Sequence, residues 1–260
     1  MKPYFSGGGV TLYHGDCRDV LPELDVTPDA CVADPPYGTT SAPWDRWPEG
    51  WIAAVGAVLP DTASLWCFGT ASTFLRYAPE FAGWKFSGQE ALWLKRNGTG
   101  PGSRDRLLVV HEWAYHWYRG RWSDLHHEWE REQSGGIDKS ARRLAPAAGH
   151  RRSDRVSSYV DDGLRQPRSV RVIEAPSVRY QKRHQDEKPL KVVAELVREC
   201  TPPGGLVLDP TAGVGTTGVA AQLLGLRAVL IEGDERSCEL AAERLQHDVL
   251  ELVPADVEEG

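Results

Sequence analysis

Asp34-Pro35-Pro36-Tyr37-Gly38 closes a short apolar segment, Asp29–Ala33, that reads as a β-strand. Ligands of open α/β sheets bind just beyond the carboxyl ends of strands, so these five residues stand where chemistry is done. Prolines lack a backbone donor and stiffen the chain. Carbonyl oxygens there can therefore point outward beside the Asp34 carboxylate. Two neighbouring acceptors suit an amino group with two hydrogens, and Tyr37 offers a flat face to a planar ring. The lone pair of an aromatic amine is delocalised into its ring. Holding both hydrogens draws the nitrogen toward tetrahedral geometry and frees that pair for in-line attack on an electrophile. Pro-Pro and Gly38 would also make a plain rigid turn.

A second set lies near the other end. Gly213-Val214-Gly215-Thr216-Thr217-Gly218 follows a strand and opens a helix, and Glu232 stands 19 positions after Gly213, at the end of the next strand. That arrangement fits a nucleotide-type ligand whose ribose meets an acid; a chance glycine turn would look similar. Asp209-Pro210 just upstream narrows the ligand. A carboxylate at this strand end would repel a pyrophosphate, which a helix N-terminus and bare amides otherwise attract. It suits a cation. S-adenosylmethionine (SAM) carries an ammonium and a sulfonium and no phosphate, so the acid-before-glycine order favours SAM.

The elements that must position these residues alternate between strand and helix. Strands are expected at Val10–His14, Asp29–Ala33, Ser64–Gly69, Leu206–Asp209 and Ala228–Glu232. Helices are expected at Trp51–Leu59, Ser72–Tyr77, Leu190–Cys200, Thr216–Leu224 and Cys238–Leu245. Gln89–Lys95 and Leu107–Trp117 read as paired strands. Alternation of this kind implies a parallel sheet. Only 28 residues follow Glu232, too few for the missing strands. The sheet should then be a circularly permuted one, completed by the N-terminal stretch. From about Gly120 to Tyr180 the periodicity fails, and loops with a few short elements are expected.

Charge sets that middle apart. The 260-residue chain carries 30 basic and 37 acidic residues, a net −7. Residues 91–190 hold 20 basic against 13 acidic, and 139–183 hold 12 against 4, mostly as Arg. An acidic body with a basic insert suggests a surface aimed at a polyanion, and Arg suits phosphate and guanine; a solvated Arg-rich loop has the same composition. No apolar run reaches the roughly 18 residues of a membrane span. Five cysteines without a Cys-x-x-Cys pair, and no signal-peptide pattern, point to a reducing cytoplasm rather than a disulfide or zinc scaffold.

Asp34–Gly38 together with Leu208-Asp209-Pro210-Thr211-Ala212-Gly213-Val214-Gly215-Thr216-Thr217 resembles the SAM-dependent DNA amino-methyltransferases, in the beta-group order with the catalytic motif first. Gly15-Asp16-Cys17 with Leu21, Trp93-Leu94-Lys95-Arg96-Asn97 followed by His111-Glu112, and His184–Leu190 resemble further segments of that family. The resemblance covers about 10–118 and 183–246. It implies a Rossmann-like α/β fold with a mixed, mainly parallel seven-stranded sheet. It divides the chain into a catalytic half (1–119), a target-recognition insert (120–182) and a SAM-binding half (183–260).

It implies an enzyme, of the kind found in restriction–modification systems, that methylates the N-6 amino group of a flipped-out adenine in double-stranded DNA. Asp rather than Ser at position 34 resembles the adenine enzymes. A cytosine N-4 enzyme and a catalytically inactive DNA- or SAM-binding protein are the alternatives. By position, Asp34, Pro35, Pro36 and Tyr37 would be catalytic. Asp209, Ala212, Gly213 and Gly215 would line the methionine end of SAM, with Asp34, Pro210, Thr211 and Thr216 also among the cofactor-binding residues. Glu232 would bind the ribose, Asp16 the adenine amino group, and Lys188 would lie near the cofactor pocket. Thr211 and Gln185 depart from the family's usual Phe and Pro; the first removes an apolar contact near the cofactor. A homodimer is implied by the resemblance alone. No metal is expected.

Other residues read as structure. His111–His116 misses the H-E-x-x-H spacing by one residue. Trp44 and Trp47 would line the base pocket or anchor a lid. His126 and His127, with Glu128, Glu130 and Glu132, read as a solvated helix face. Cys31 and Cys67 read as inert core thiols.

Overall fold

All six residues of Ser64–Gly69 are buried, as is every residue of Ala30–Ala33. Strands covered on both faces belong at the centre of an α/β sheet, and their apolar runs fit that place. The computed structural model describes residues 1–99, 105, 107, 109–129, 132–133, 164–165, 170–174 and 187–246. The chain divides into one unit of residues 1–128 with 169–260 and a second of 129–168.

The first unit is built on a nine-stranded sheet. Its strands in chain order are β1 (Phe5–Gly7), β2 (Val10–His14), β3 (Ala30–Ala33), β4 (Ser64–Gly69), β5 (Lys85–Thr99), β6 (Val109–Tyr118), β9 (Val170–Glu174), β10 (Leu206–Asp209) and β11 (Arg227–Glu232). In the second unit β7 (Glu132–Gln133) pairs antiparallel with β8 (Leu164–Arg165). The order across the large sheet is β1-β2-β11-β10-β3-β4-β6-β5-β9. Its middle, from β2 to β4, is parallel throughout, and β6 runs antiparallel to both β4 and β5.

The sheet is woven from both halves of the chain, as the permuted order requires. Leu208 stands beside Cys31, and Leu230 beside Leu12. The carboxyl ends of β3 and β10 are thereby neighbours, which places Asp34 next to the glycine turn after Asp209.

The expected seven strands are exceeded by two, one at each edge. β1 folds back on β2 through Gly8-Gly9, with Gly7 opposite Val10. Both turn glycines have positive φ, 56° and 79°, the conformation a two-residue hairpin turn matched to strand twist demands. β9 lies in the stretch where sequence periodicity fails, and it runs parallel to β5.

The helices follow the same logic of one buried stripe. They are α1 (Cys17–Val20), α2 (Trp51–Val58), α3 (Ala71–Arg76), α4 (Leu190–Cys200), α5 (Thr216–Leu223) and α6 (Glu235–Gln246). On α4, Val192, Val193, Leu196, Val197 and Cys200 are buried at helical spacing, and the helix packs against α5 and β3. Thr70 caps α3 by accepting the Thr73 N–H. The expected helix face at His126–Glu128 is a correction: no helix forms there. The His127 ring stacks on Trp122 at 4.2 Å, and burial lowers its pKa. Glu130 lies outside the described residues and Glu132 starts β7. All five cysteines are free and buried.

Candidate active site

The loop leaving β3 carries Asp34 and Tyr37 into a buried group of charges. The Tyr37 hydroxyl lies 2.9 Å from Asp34 Oδ1 and 3.2 Å from Glu112 Oε2, where it can donate to either carboxylate. Lys188 Nζ is 2.7 Å from Asp34 Oδ2 and 3.1 Å from Glu112 Oε2. Lys95 pairs with the other Glu112 oxygen. The Tyr37 and Phe68 rings flank the Lys188 ammonium at 5.3 and 5.4 Å. Two carboxylates thus meet two ammonium groups, the balance a buried ionic cluster needs.

The surroundings tune each charge. Burial pushes the Asp34 carboxyl upward, with Lys188 opposing. Burial also works against the charge on Glu112, but Lys188 and Lys95 bring it down to about 2. Burial would depress Lys188, yet Asp34 and Glu112 more than reverse that and keep its ammonium protonated.

The segment after Tyr37 is fastened rather than loose. The Asp45 carboxylate, 6 % exposed, accepts three successive backbone N–H groups, from Gly38, Thr39 and Thr40, at 2.8, 3.0 and 2.6 Å. Gly38 can join this nest because its φ is +65°. Trp47 is buried, stacks on Tyr77 at 4.6 Å and donates its indole N–H to Glu80. It anchors the segment, whereas Trp44 is exposed.

The glycine turn is built at the end of β10. Asp209 is buried and faces inward, accepting from the Thr217 hydroxyl at 2.5 Å and the Thr211 N–H at 3.0 Å. Burial pushes it up to about 7. Glu232 accepts the Gly213 N–H at 2.7 Å and the Asp234 N–H at 2.8 Å, tying the turn to the end of β11. Ala212 N–H donates to the Ile231 carbonyl. A side chain at Gly213, whose φ is +53°, would meet open space. A Cβ at Gly218 would come within 2.7 Å of Leu230 and 2.9 Å of Leu245, so only glycine lets α5 sit this close to the sheet. Buried Arg244 of α6 bonds the Val214 carbonyl and Thr216 hydroxyl and pairs with Glu187 at 2.7 Å.

Thr211 joins the two motifs. Its hydroxyl accepts the Asp34 backbone N–H at 3.1 Å. Asp16 stands at the neighbouring end of β2, caps α1 and pairs with Arg18 at 2.5 Å. The structure brings Lys188 onto Asp34 and turns Asp209 into the protein interior. Glu112 and Lys95 belong to the same charge group although sequence reasoning gave them no role. Gln185 lies outside the described residues. Among the described residues no group of three or more acids, histidines or cysteines could hold a metal.

The chain matches the family model for N6/N4 amino-methyltransferases, described as DNA methylase, over residues 29–243, and it belongs to that family. It is similar to the Type II methyltransferase M2.MboI of Moraxella bovis, 23% identical over 94% of this chain and 91% of that protein. It is also similar to Type II methyltransferase M.HinfI of Haemophilus influenzae, 21% identical over 95% of this chain and 71% of that one. The fold resembles the M1.HpyAVI–SAM complex, with TM-score 0.61 and 21% identity, covering 91% of this chain and all of that one. It also resembles the cytosine-N4-specific PvuII DNA methyltransferase, with TM-score 0.64 and 14% identity, covering 96% of this chain and 92% of that one.

Proposed function

We propose that this protein transfers a methyl group from SAM to the exocyclic N-6 amino group of an adenine flipped out of double-stranded DNA. The observation that carries the reading is the Thr211–Asp34 hydrogen bond. It ties an acceptor for an amino group to a glycine turn suited to the methyl donor.

The turn fits SAM. Gly213 leaves the space in front of its backbone open. The two Glu232 oxygens each accept one N–H, and a carboxylate's remaining lone pairs can take ribose hydroxyls. Asp209, poised near neutrality by burial, would be held ionised by a cation at the turn. Asp16, Pro210, Ala212, Gly215 and Thr216 are proposed to complete this pocket. Bound SAM supplies an electrophilic methyl on its sulfonium.

Asp34, with carbonyls of the Pro35-Pro36 turn, accepts the hydrogens of the amino group and localises its lone pair. Tyr37, whose hydroxyl is held between Asp34 and Glu112, presents its ring to the base. Asp34 is a carboxylate onto which the surplus N–H proton can pass after methylation. The base must leave the duplex because its amino group is otherwise paired. Arg residues of 139–183, most of them outside the described residues, would contact DNA phosphates.

The test uses labelled SAM and plasmid DNA free of prior methylation, with wild type beside Asp34→Ala. Nucleosides from the digested DNA are identified by mass. N-6-methyladenine that disappears in the variant is expected. Methyl on cytosine N-4 would change the substrate to cytosine and leave the mechanism intact. Absence of product with SAM still bound would leave a binding protein.

A further inference from the structure

The Asp34 carboxylate has both oxygens engaged: Oδ1 with the Tyr37 hydroxyl and Oδ2 with the Lys188 ammonium. An incoming amino group must share one of these oxygens, and an ammonium drawing on the same oxygen weakens it as an acceptor. Lys188 already has a second anionic seat, Glu112 Oε2 at 3.1 Å, and Lys95 holds that carboxylate in place from its other oxygen. We propose that Lys188 is a positioning residue shared between two carboxylates. It keeps Asp34 an anionic acceptor in the free protein and shifts onto Glu112 as the target amino group arrives. This rests on the reading of Asp34 as the acceptor of that group.

Three observations support it. Lys188 is 9 % exposed, so water is a poor substitute for a lost carboxylate partner. The shift is short, because the ammonium already touches both acids. The Phe68 and Tyr37 rings beside it hold the cation along the way. The charged and titratable groups around Asp34 are Tyr37 on its own loop, Cys67 of β4, Glu112 of β6 backed by Lys95 of β5, Lys188 ahead of α4, and Asp209 at the end of β10. Lys188 is the cation in direct contact with Asp34, and burial pushes the Asp34 carboxyl the opposite way.

The experiment compares wild type, Lys188→Met, Lys188→Arg and Glu112→Gln by three readouts. Carboxyl-carbon NMR follows the titration of Asp34, assigned by its loss in Asp34→Asn. Calorimetry gives the SAM affinity. Single-turnover methylation is measured against pH. In Lys188→Met the Asp34 midpoint and the acid limb of the rate should both rise by about one pH unit or more. SAM affinity should stay within about threefold, and Lys188→Arg should restore the midpoint. Glu112→Gln should slow turnover by about tenfold or more, a loss near 1.4 kcal/mol, without raising the Asp34 midpoint. An unmoved midpoint in Lys188→Met overturns the proposal, and a SAM affinity loss in its place would return Lys188 to the cofactor pocket. Full activity in Glu112→Gln overturns the handover. The NMR titration needs no turnover. Absence of product with wild type would count against methyl transfer alone, and the titration would still decide whether Lys188 holds Asp34.

Discussion

Thr211 shows how a departure from a family pattern can carry information. The resemblance implies Phe at this position, and its loss reads as a missing apolar contact. In the fold the hydroxyl takes the Asp34 N–H instead, which no phenyl ring can do. Thr211→Val keeps the shape and removes the acceptor. We expect methylation to fall about tenfold, as for one hydrogen bond left unmade, with Thr211→Ser close to wild type in single-turnover assays. The acids make a separate prediction about stability. Asp209 has a folded-state pKa of about 7, above its unfolded value near 3.9. Its contribution is full below pH ~4 and is lost as pH rises through ~7. Glu112, at about 2, behaves oppositely: its contribution is present above pH ~4 and lost as pH falls through ~2. Urea unfolding from pH 4 to 8 should therefore show Asp209→Asn gaining stability relative to wild type as pH rises. A flat difference would contradict the assignment. Lys95, Glu112 and Lys188 each stand in a segment that resembles the family, but their meeting at Asp34 could not be read from the sequence, because it needs four separate segments to converge.

Elements were more legible than contacts. The central strands announce themselves as short apolar runs, and α4 as a 3.6-residue pattern, because burial on both faces or on one stripe leaves that mark. The two edge strands were missed for different reasons. β1 is three residues long, and its sign was the Gly8-Gly9 pair rather than any apolar run. β9, Val-Arg-Val-Ile-Glu, does carry β-branched residues, but it sits among Arg, Ser and Pro that read as loop. Two substitutions test the elements that frame the site. Gly218→Val should lower the melting temperature by several degrees, since its side chain would overlap Leu230 and Leu245. Asp45→Ala should leave three N–H groups without their carboxylate and open the 38–45 segment. Limited proteolysis there should quicken while the melting temperature changes little.

At the scale of the molecule, charge is divided between an acidic body and the basic stretch 139–183. If that stretch meets DNA phosphates, binding should weaken steeply with salt, and Arg151→Ala should reduce the slope of log K against log salt by about one. An unchanged slope would remove Arg151 from the contact. No described helix is long and apolar enough to cross a membrane. The interleaved sheet bears on how the protein is made. β11 and β10 insert between β2 and β3, so β2, paired with β1, and β3, paired with β4, each lack their second neighbour until residues 206–232 leave the ribosome. At synthesis rates of about 5–20 residues per second, that wait is on the order of ten seconds. During it the nascent chain carries two bare apolar strand edges, the kind of surface that chaperones shield. A ribosome stalled near residue 180 should hold an N-terminal half that proteases cut freely, and the catalytic loop should become resistant only after the last strand has been threaded into its gap.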